Sequence, residues 1–186
     1  CTRGTVKASK RLLQYLKGSR NVGLEWDADV EWRFRSRYGQ IAADAGWEGE
    51  LPDVVFFSDA DYAGCEKTSR STSGTLVTFR GMPIAWKSSR QHIRALYTME
   101  SEYCGMFDSF KILDSQGYLP SLCGVDKSKV VAFCDNTAAR DLARVSVTTK
   151  RSKHIDLRLH AVRDRKSQIL YCPTDAMLAD PLTKPV

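Results

Sequence analysis

The sequence contains no apolar run approaching the roughly eighteen residues that cross a bilayer as a helix. It also has no Cys-x-x-Cys pair among its six cysteines, and no histidine between Tyr171 and Asp180. The first absence excludes a helical membrane anchor within these residues. The second argues against a zinc knuckle or a dithiol redox motif. Cys1, Cys65, Cys104, Cys123, Cys134 and Cys172 stand at wide, irregular intervals, which suits reduced, mostly buried thiols in an intracellular protein. An initiator methionine and a signal-peptide pattern are lacking too, so the chain reads as a fragment of something longer. What is present is a chain of 186 residues, 42% hydrophobic, long enough for one ordinary core with a small appendage. Its formal net charge of +6 favours an anionic partner without identifying it.

Read along its length, the chain divides near residue 50. In TVKASKRLLQYLKG, residues Val6, Leu12, Leu13 and Leu16 recur at helical spacing among basic residues, with Gly18 as the stop. VGLEWDADVEWRF alternates as a strand or hairpin does, and IAADAGWEGELPD reads as a linker. From residue 54 three short apolar runs, VVFFSD, GTLVTFRG and PIAWKS, predict consecutive hairpins. Met99, Tyr103, Met106, Phe110 and Leu113 then recur at spacings of three and four, which predicts a helix. VVAFCDN is a strand, NTAARDLAR a short helix, RSKHIDLRLHAVRDRK a longer basic helix and QILYCP a last strand. TDAMLADPLTK closes the chain, with Thr174 as a helix cap and Pro181 limiting the helix. This order describes an α/β layer with a mixed sheet.

The chemistry is concentrated where two apolar strands, VVFFSD and VVAFCD, both end in an aspartate. Ligand sites in open α/β sheets lie at the carboxyl ends of strands, so Asp59 and Asp135 are expected to meet. The helix carrying Glu100 and Glu102 offers a third carboxylate, and Asp180 a fourth. Carboxylates crowded together repel, and such a cluster ordinarily survives by binding cations, with Mg²⁺ the usual guest of a hard-oxygen site. Glu100 and Glu102 lie about 80° to either side of the apolar stripe, so periodicity does not choose between them.

SDADYAG, RSTSG, IAWKS, ESEY, CDN, KHID and LADPLTKP, in that order, resemble the ribonuclease H domain of a copia-type LTR retrotransposon Pol polyprotein. The resemblance runs from about residue 5 to residue 186, and the opening helix is similar to the tail of the reverse transcriptase region. It implies residues 1–50 as that tail and residues 51–186 as a domain of ribonuclease H-like fold. That fold is a mixed five-stranded sheet flanked by helices, here with an N-terminal helix and a strand or hairpin appendage. It further implies a metal set of Asp59, Glu102, Asp135 and Asp180 holding two Mg²⁺ ions, with Mn²⁺ as the alternative; the motif places the helix ligand at the glutamate before the tyrosine, Glu102. The implied activity is metal-dependent hydrolysis of the RNA strand of RNA/DNA hybrids during reverse transcription. The implied partners are the hybrid and the reverse transcriptase portion of the same polyprotein, inside cytoplasmic particles, with no membrane.

Lys87, Arg90 and Gln91, just before the Glu102 helix, are candidates for phosphate contact, and Asn136 for a ribose; a solvated charge run and a helix cap are the simpler readings. Lys150, Arg151, Lys153 and Arg158 form a basic cluster that either grips a nucleic-acid backbone or is a solvated face. Asp61 reads as a turn residue, Glu100 as a surface charge, His92 as a solvated or capping residue, and the His154/Asp156 pair as part of a salt-bridged helix face. Cellular and retroviral ribonucleases H keep a loop histidine where this chain has none between Tyr171 and Asp180, which implies slower turnover or a partial substitute in Asp175. Three classes of function compete: an active hybrid nuclease, a catalytically inactive nucleic-acid-binding or scaffolding remnant of a decayed retroelement, and an integrase-type transferase. The glutamate between the first two aspartates disfavours the last, whose acids run Asp, Asp, Glu.

Overall fold

β1 (Val54–Asp61) is the strand around which the other elements are arranged. Its VVFF run is fully buried because both faces of the strand are covered. Val54 and Phe56 point into one core with Tyr103, Met106 and Phe110, while Val55 and Phe57 point into a second core with Phe34 and Tyr38. Burying one such phenylalanine contributes about 2–3 kcal/mol. The coordinates are a computed structural model and describe residues 2–115, 130–144, 161, 162, 164 and 169–184. His154, Asp156, Lys150, Arg151, Lys153 and Arg158 lie outside the described residues, as do Cys1 and Cys123.

Among the described residues the sheet has five strands in the order β3-β2-β1-β4-β5. β2 (Thr72–Phe79) and β3 (Met82–Arg90) continue β1 as antiparallel hairpins, and β4 (Val131–Cys134) and β5 (Ile169–Tyr171) lie parallel to it on the other side. The mixed sheet is the one expected. α3 (Thr98–Ser115) covers one face with its Tyr103, Met106, Phe110 and Leu113 stripe, and α4 (Thr137–Arg144) adds Ala139 to the same core.

The N-terminal third corrects the expectation. α1 (Arg3–Gly18) forms, capped by Thr2, yet buries no residue; Leu12, Leu13 and Leu16 are exposed. The strand or hairpin expected in VGLEWDADVEWRF is instead the start of α2 (Ala28–Asp44), whose N-cap Asp27 accepts a hydrogen bond from the Val30 amide at 2.8 Å. The supposed linker supplies its last turn. The period was hidden because the buried residues Phe34, Tyr38 and Ala42 straddle the line drawn between strand and linker. Tyr38 packs edge-on against Phe57 at 4.9 Å and tilted against Phe133 at 5.7 Å. Its hydroxyl donates to the Ala176 carbonyl at 2.8 Å. Thus α2, although it precedes residue 50, shares a core with the sheet. Arg35 fastens the chain after it, donating to the Leu51 carbonyl at 2.9 Å and pairing with Asp53.

The C-terminal helix also differs from expectation. Residues after β5 form two 3₁₀ turns, Thr174–Ala176 and Asp180–Leu182, with Pro181 inside the second. Thr174 does not cap: its hydroxyl donates to Asp135 Oδ2 at 3.1 Å.

Candidate active site

The parallel register of β1 and β4 ends with Ser58 opposite Cys134, so the residues that follow, Asp59 and Asp135, lie at the same carboxyl end of that pairing. α3 brings Glu102 over this end. Gly105 faces β1 at this point, where an added Cβ would stand in ordinary contact 3.4 Å from the Asp59 carbonyl oxygen. Asp180 arrives by a different route. Across the β1–β2 ladder Asp59 is paired with Gly74, and the C-terminal turn sits on that glycine. A Cβ on Gly74 would come within 2.7 Å of the Ala179 carbonyl oxygen and 2.8 Å of Thr183 Cγ2. The missing side chain is the space in which the Asp180 segment docks.

Four carboxylates from four elements therefore share one field. Asp59 is buried, 6% exposed, and its pKa is raised, first by desolvation and further by the charges of Asp135 and Asp180. The Thr183 hydroxyl, 2.9 Å from Asp59 Oδ2, works in the opposite direction. Glu102 is 4% exposed, and its pKa is pushed up to about 9, again by desolvation first and then by Asp59 and Asp135. Its Oε2 is buried with no hydrogen-bond partner. The unpartnered Glu102 oxygen, buried beside two aspartates, is a donor that a cation could use. Glu102, Asp135 and the Cys134 sulfur also lie close enough to share an ion, with ligand atoms within 4.8 Å of one another. Burial pushes the Cys134 thiol far above its ordinary value, and the Asn136 amide is 3.4 Å from its sulfur, which as a soft donor suits a hard cation less well than the carboxylates do. The remaining donors are all carboxylate oxygens, which suit a hard divalent cation.

The expected substrate contacts separate into two groups. Lys87 and Arg90 are exposed on β3. Gln91 is buried, contrary to the picture of a side chain reaching a phosphate; its amide donates to Ser73 Oγ at 2.9 Å and to the Ser101 carbonyl at 2.7 Å. Asn136 uses its side-chain oxygen to accept from the Ala139 amide at 2.9 Å, the helix-capping role. Glu100 likewise accepts from the Leu96 amide at 2.6 Å, and Asp61 accepts from the Thr72 amide at the base of the β1–β2 loop. His92 and Asp175 are exposed. Sequence reasoning passed over Thr183, Gly74 and Lys184. The ammonium of Lys184 lies 2.6 Å from Asp180 Oδ2. The signals were the letters PLTK directly after Asp180 and the glycine of RSTSG.

No family model matches the chain. Over 172 residues, 89% of its length, it is 35% identical to the retrovirus-related Pol polyprotein from transposon TNT 1-94 of Nicotiana tabacum, of which it spans 13%. Over 186 residues, 97% of its length, it is 28% identical to the Pol polyprotein from transposon RE1 of Arabidopsis thaliana, of which it spans 11%. Among solved structures it resembles the N-terminal ribonuclease H domain of a Mycobacterium tuberculosis protein, with a TM-score of 0.52 at 14% identity, covering 71% of this chain and 91% of that one. At that identity the likeness speaks for the fold alone.

Proposed function

Starting from a ribonuclease H fold and a sequence like one stretch of plant transposon Pol polyproteins, we propose that this chain is a metal-dependent endonuclease that hydrolyses the RNA strand of RNA/DNA hybrids. The observation that carries the reading is the gathering of Glu102, Asp135 and Asp180 about Asp59, with one Glu102 oxygen buried and unpartnered. In this reading the four carboxylates are the cation ligands, with two Mg²⁺ ions as the physiological guests. Bound there, divalent cations supply the positive charge that acidifies an attacking water and stabilises the leaving 3′ oxygen.

The protein supplies position and field. Asp59 and Asp135 are set by rigid strand ends, and Glu102 by a helix packed on β1. No side-chain nucleophile is needed, and the products carry 5′-phosphate and 3′-hydroxyl ends. Lys87 and Arg90 are free to meet phosphates along the exposed edge of β3. Preference for a hybrid is assigned to 2′-hydroxyl contacts in the minor groove on the RNA strand. The stretch before residue 51 is carried as the tail of a reverse transcriptase region, with α2 packed into the nuclease core. The working partner is the polymerase of the same polyprotein, in cytoplasmic particles.

The test is incubation with a labelled RNA/DNA hybrid and Mg²⁺, with Asp135→Asn as control. Cleavage of the RNA strand that falls by at least about a hundredfold in the variant supports the reading. Hybrid binding without cleavage by the wild-type chain would replace it with the catalytically inactive remnant.

A further inference from the structure

Thr183 is a buried hydroxyl, 4% exposed, where the C-terminal turn meets Asp59 of β1. Its Oγ1 lies 2.9 Å from Asp59 Oδ2 and 2.9 Å from the Asp180 carbonyl oxygen. Its amide donates to that same carbonyl at 3.1 Å, closing the 3₁₀ turn that begins at Asp180. Its methyl rests where Gly74 lacks a side chain. One residue thus fixes the rotamer of an aspartate on β1 and the turn presenting another, 121 positions later in the chain.

We infer that Thr183 is the positioning residue that joins Asp59 to Asp180 and sets the affinity of the carboxylate cluster for divalent cations. A carboxylate sharing its oxygens between a ligand and a fixed donor has one orientation, and losing that donor leaves it to swing. Among the described residues no other side chain makes this link: the hydroxyl of Thr174 holds Asp135, and the ammonium of Lys184 holds Asp180 from its exposed side. Thr183 touches ligands rather than the substrate, so it acts through them. The inference rests on the proposed nuclease site, but it concerns cation binding and is measurable without substrate.

Valine keeps the shape and methyl of Thr183 and removes the hydroxyl, whereas serine keeps the hydroxyl. Calorimetric titration of the purified chain with Mn²⁺ should show Thr183→Val binding about tenfold more weakly, with Thr183→Ser restored to near the wild-type value. Hybrid cleavage by the valine variant should regain most of its rate at raised Mn²⁺, with KM for the hybrid unchanged. Should valine fail to fold, Thr183→Ala removes the same hydroxyl without setting a methyl beside the carboxylate. Wild-type affinity in the valine or alanine variant, or a serine variant as weak as valine, would overturn the inference. A wild-type chain that binds Mn²⁺ but leaves hybrids intact would overturn the nuclease reading and leave Thr183 in place.

Discussion

Glu102 is the residue on which the electrostatics turn. Its folded-state pKa of about 9 lies above its ordinary value of 4.5, so the folded protein holds a proton that the unfolded chain has released in that window. The stability this provides is fully present below the unfolded value and is lost as pH rises through the folded one. Asp59 is shifted in the same direction. The metal-free chain should therefore melt at progressively lower temperature between about pH 5 and pH 9. Glu102→Gln should flatten that slope, and Mg²⁺ should raise the melting temperature more at the alkaline end than at the acid end. Differential scanning calorimetry across pH with and without Mg²⁺ reads all three, and a melting temperature that climbs with pH in the metal-free protein would contradict the burial argument. Asp59 and Asp135 were legible as candidates because each follows an apolar strand, whereas Glu102 was chosen only through the motif resemblance, and Asp180 was read in a helical segment where the chain forms a 3₁₀ turn. Which helix glutamate mattered was not legible from periodicity. The structure separates them by partner, with Glu100 bound to the Leu96 amide and Glu102 left with a bare oxygen.

At the scale of elements, the site depends on two dockings that sequence pattern shows poorly. The C-terminal turn docks on Gly74, whose added Cβ would meet backbone at 2.7 Å. Backbone cannot swing aside as a side chain does, so Gly74→Ala should displace Asp180 and reduce cleavage by about tenfold or more while costing about 1–3 kcal/mol of stability. Activity and denaturant unfolding measured together check this, and an alanine variant with full activity would show that the turn docks elsewhere. The other docking is α2. Tyr38 ties it to the segment leading to Asp180 through the Ala176 carbonyl, so Tyr38→Phe should cost about 1 kcal/mol in urea unfolding, the value of one buried hydrogen bond. A change of less than a few tenths would mean that the phenol makes no net contribution. The helix was misread because alternation in VGLEWDADVEW resembles a strand, and the apolar face that decides the matter begins only at Phe34. By contrast, VVFF and VVAF were readable as strands because each is short, apolar on both faces and stopped by a polar residue.

For the whole molecule, the balance of charge concerns the partner. A chain of net charge +6 with a carboxylate cluster at one sheet end cannot be uniformly basic; the proposed affinity for a polyanion would come from local cations such as Lys87 and Arg90 on β3. Hybrid affinity should fall steadily as salt rises, and Lys87→Ala or Arg90→Ala should each lower the slope of log affinity against log salt by about one. Equal slopes in wild type and both variants would move the phosphate contacts off β3. Order of motifs was enough to recover the layer architecture, because the spacing of strands and helices follows from chain connectivity alone. The exposed apolar side of α1 could not be anticipated that way, since periodicity reports a stripe and not what covers it.

Anomalous diffraction from crystals of the chain soaked in Mn²⁺ tests the central claim most directly. The account predicts manganese peaks within coordinating distance of Asp59, Glu102, Asp135 and Asp180, lost in crystals of Asp135→Asn. Crystals that hold manganese only elsewhere on the surface, with the Glu102 oxygen still unpartnered, would contradict it.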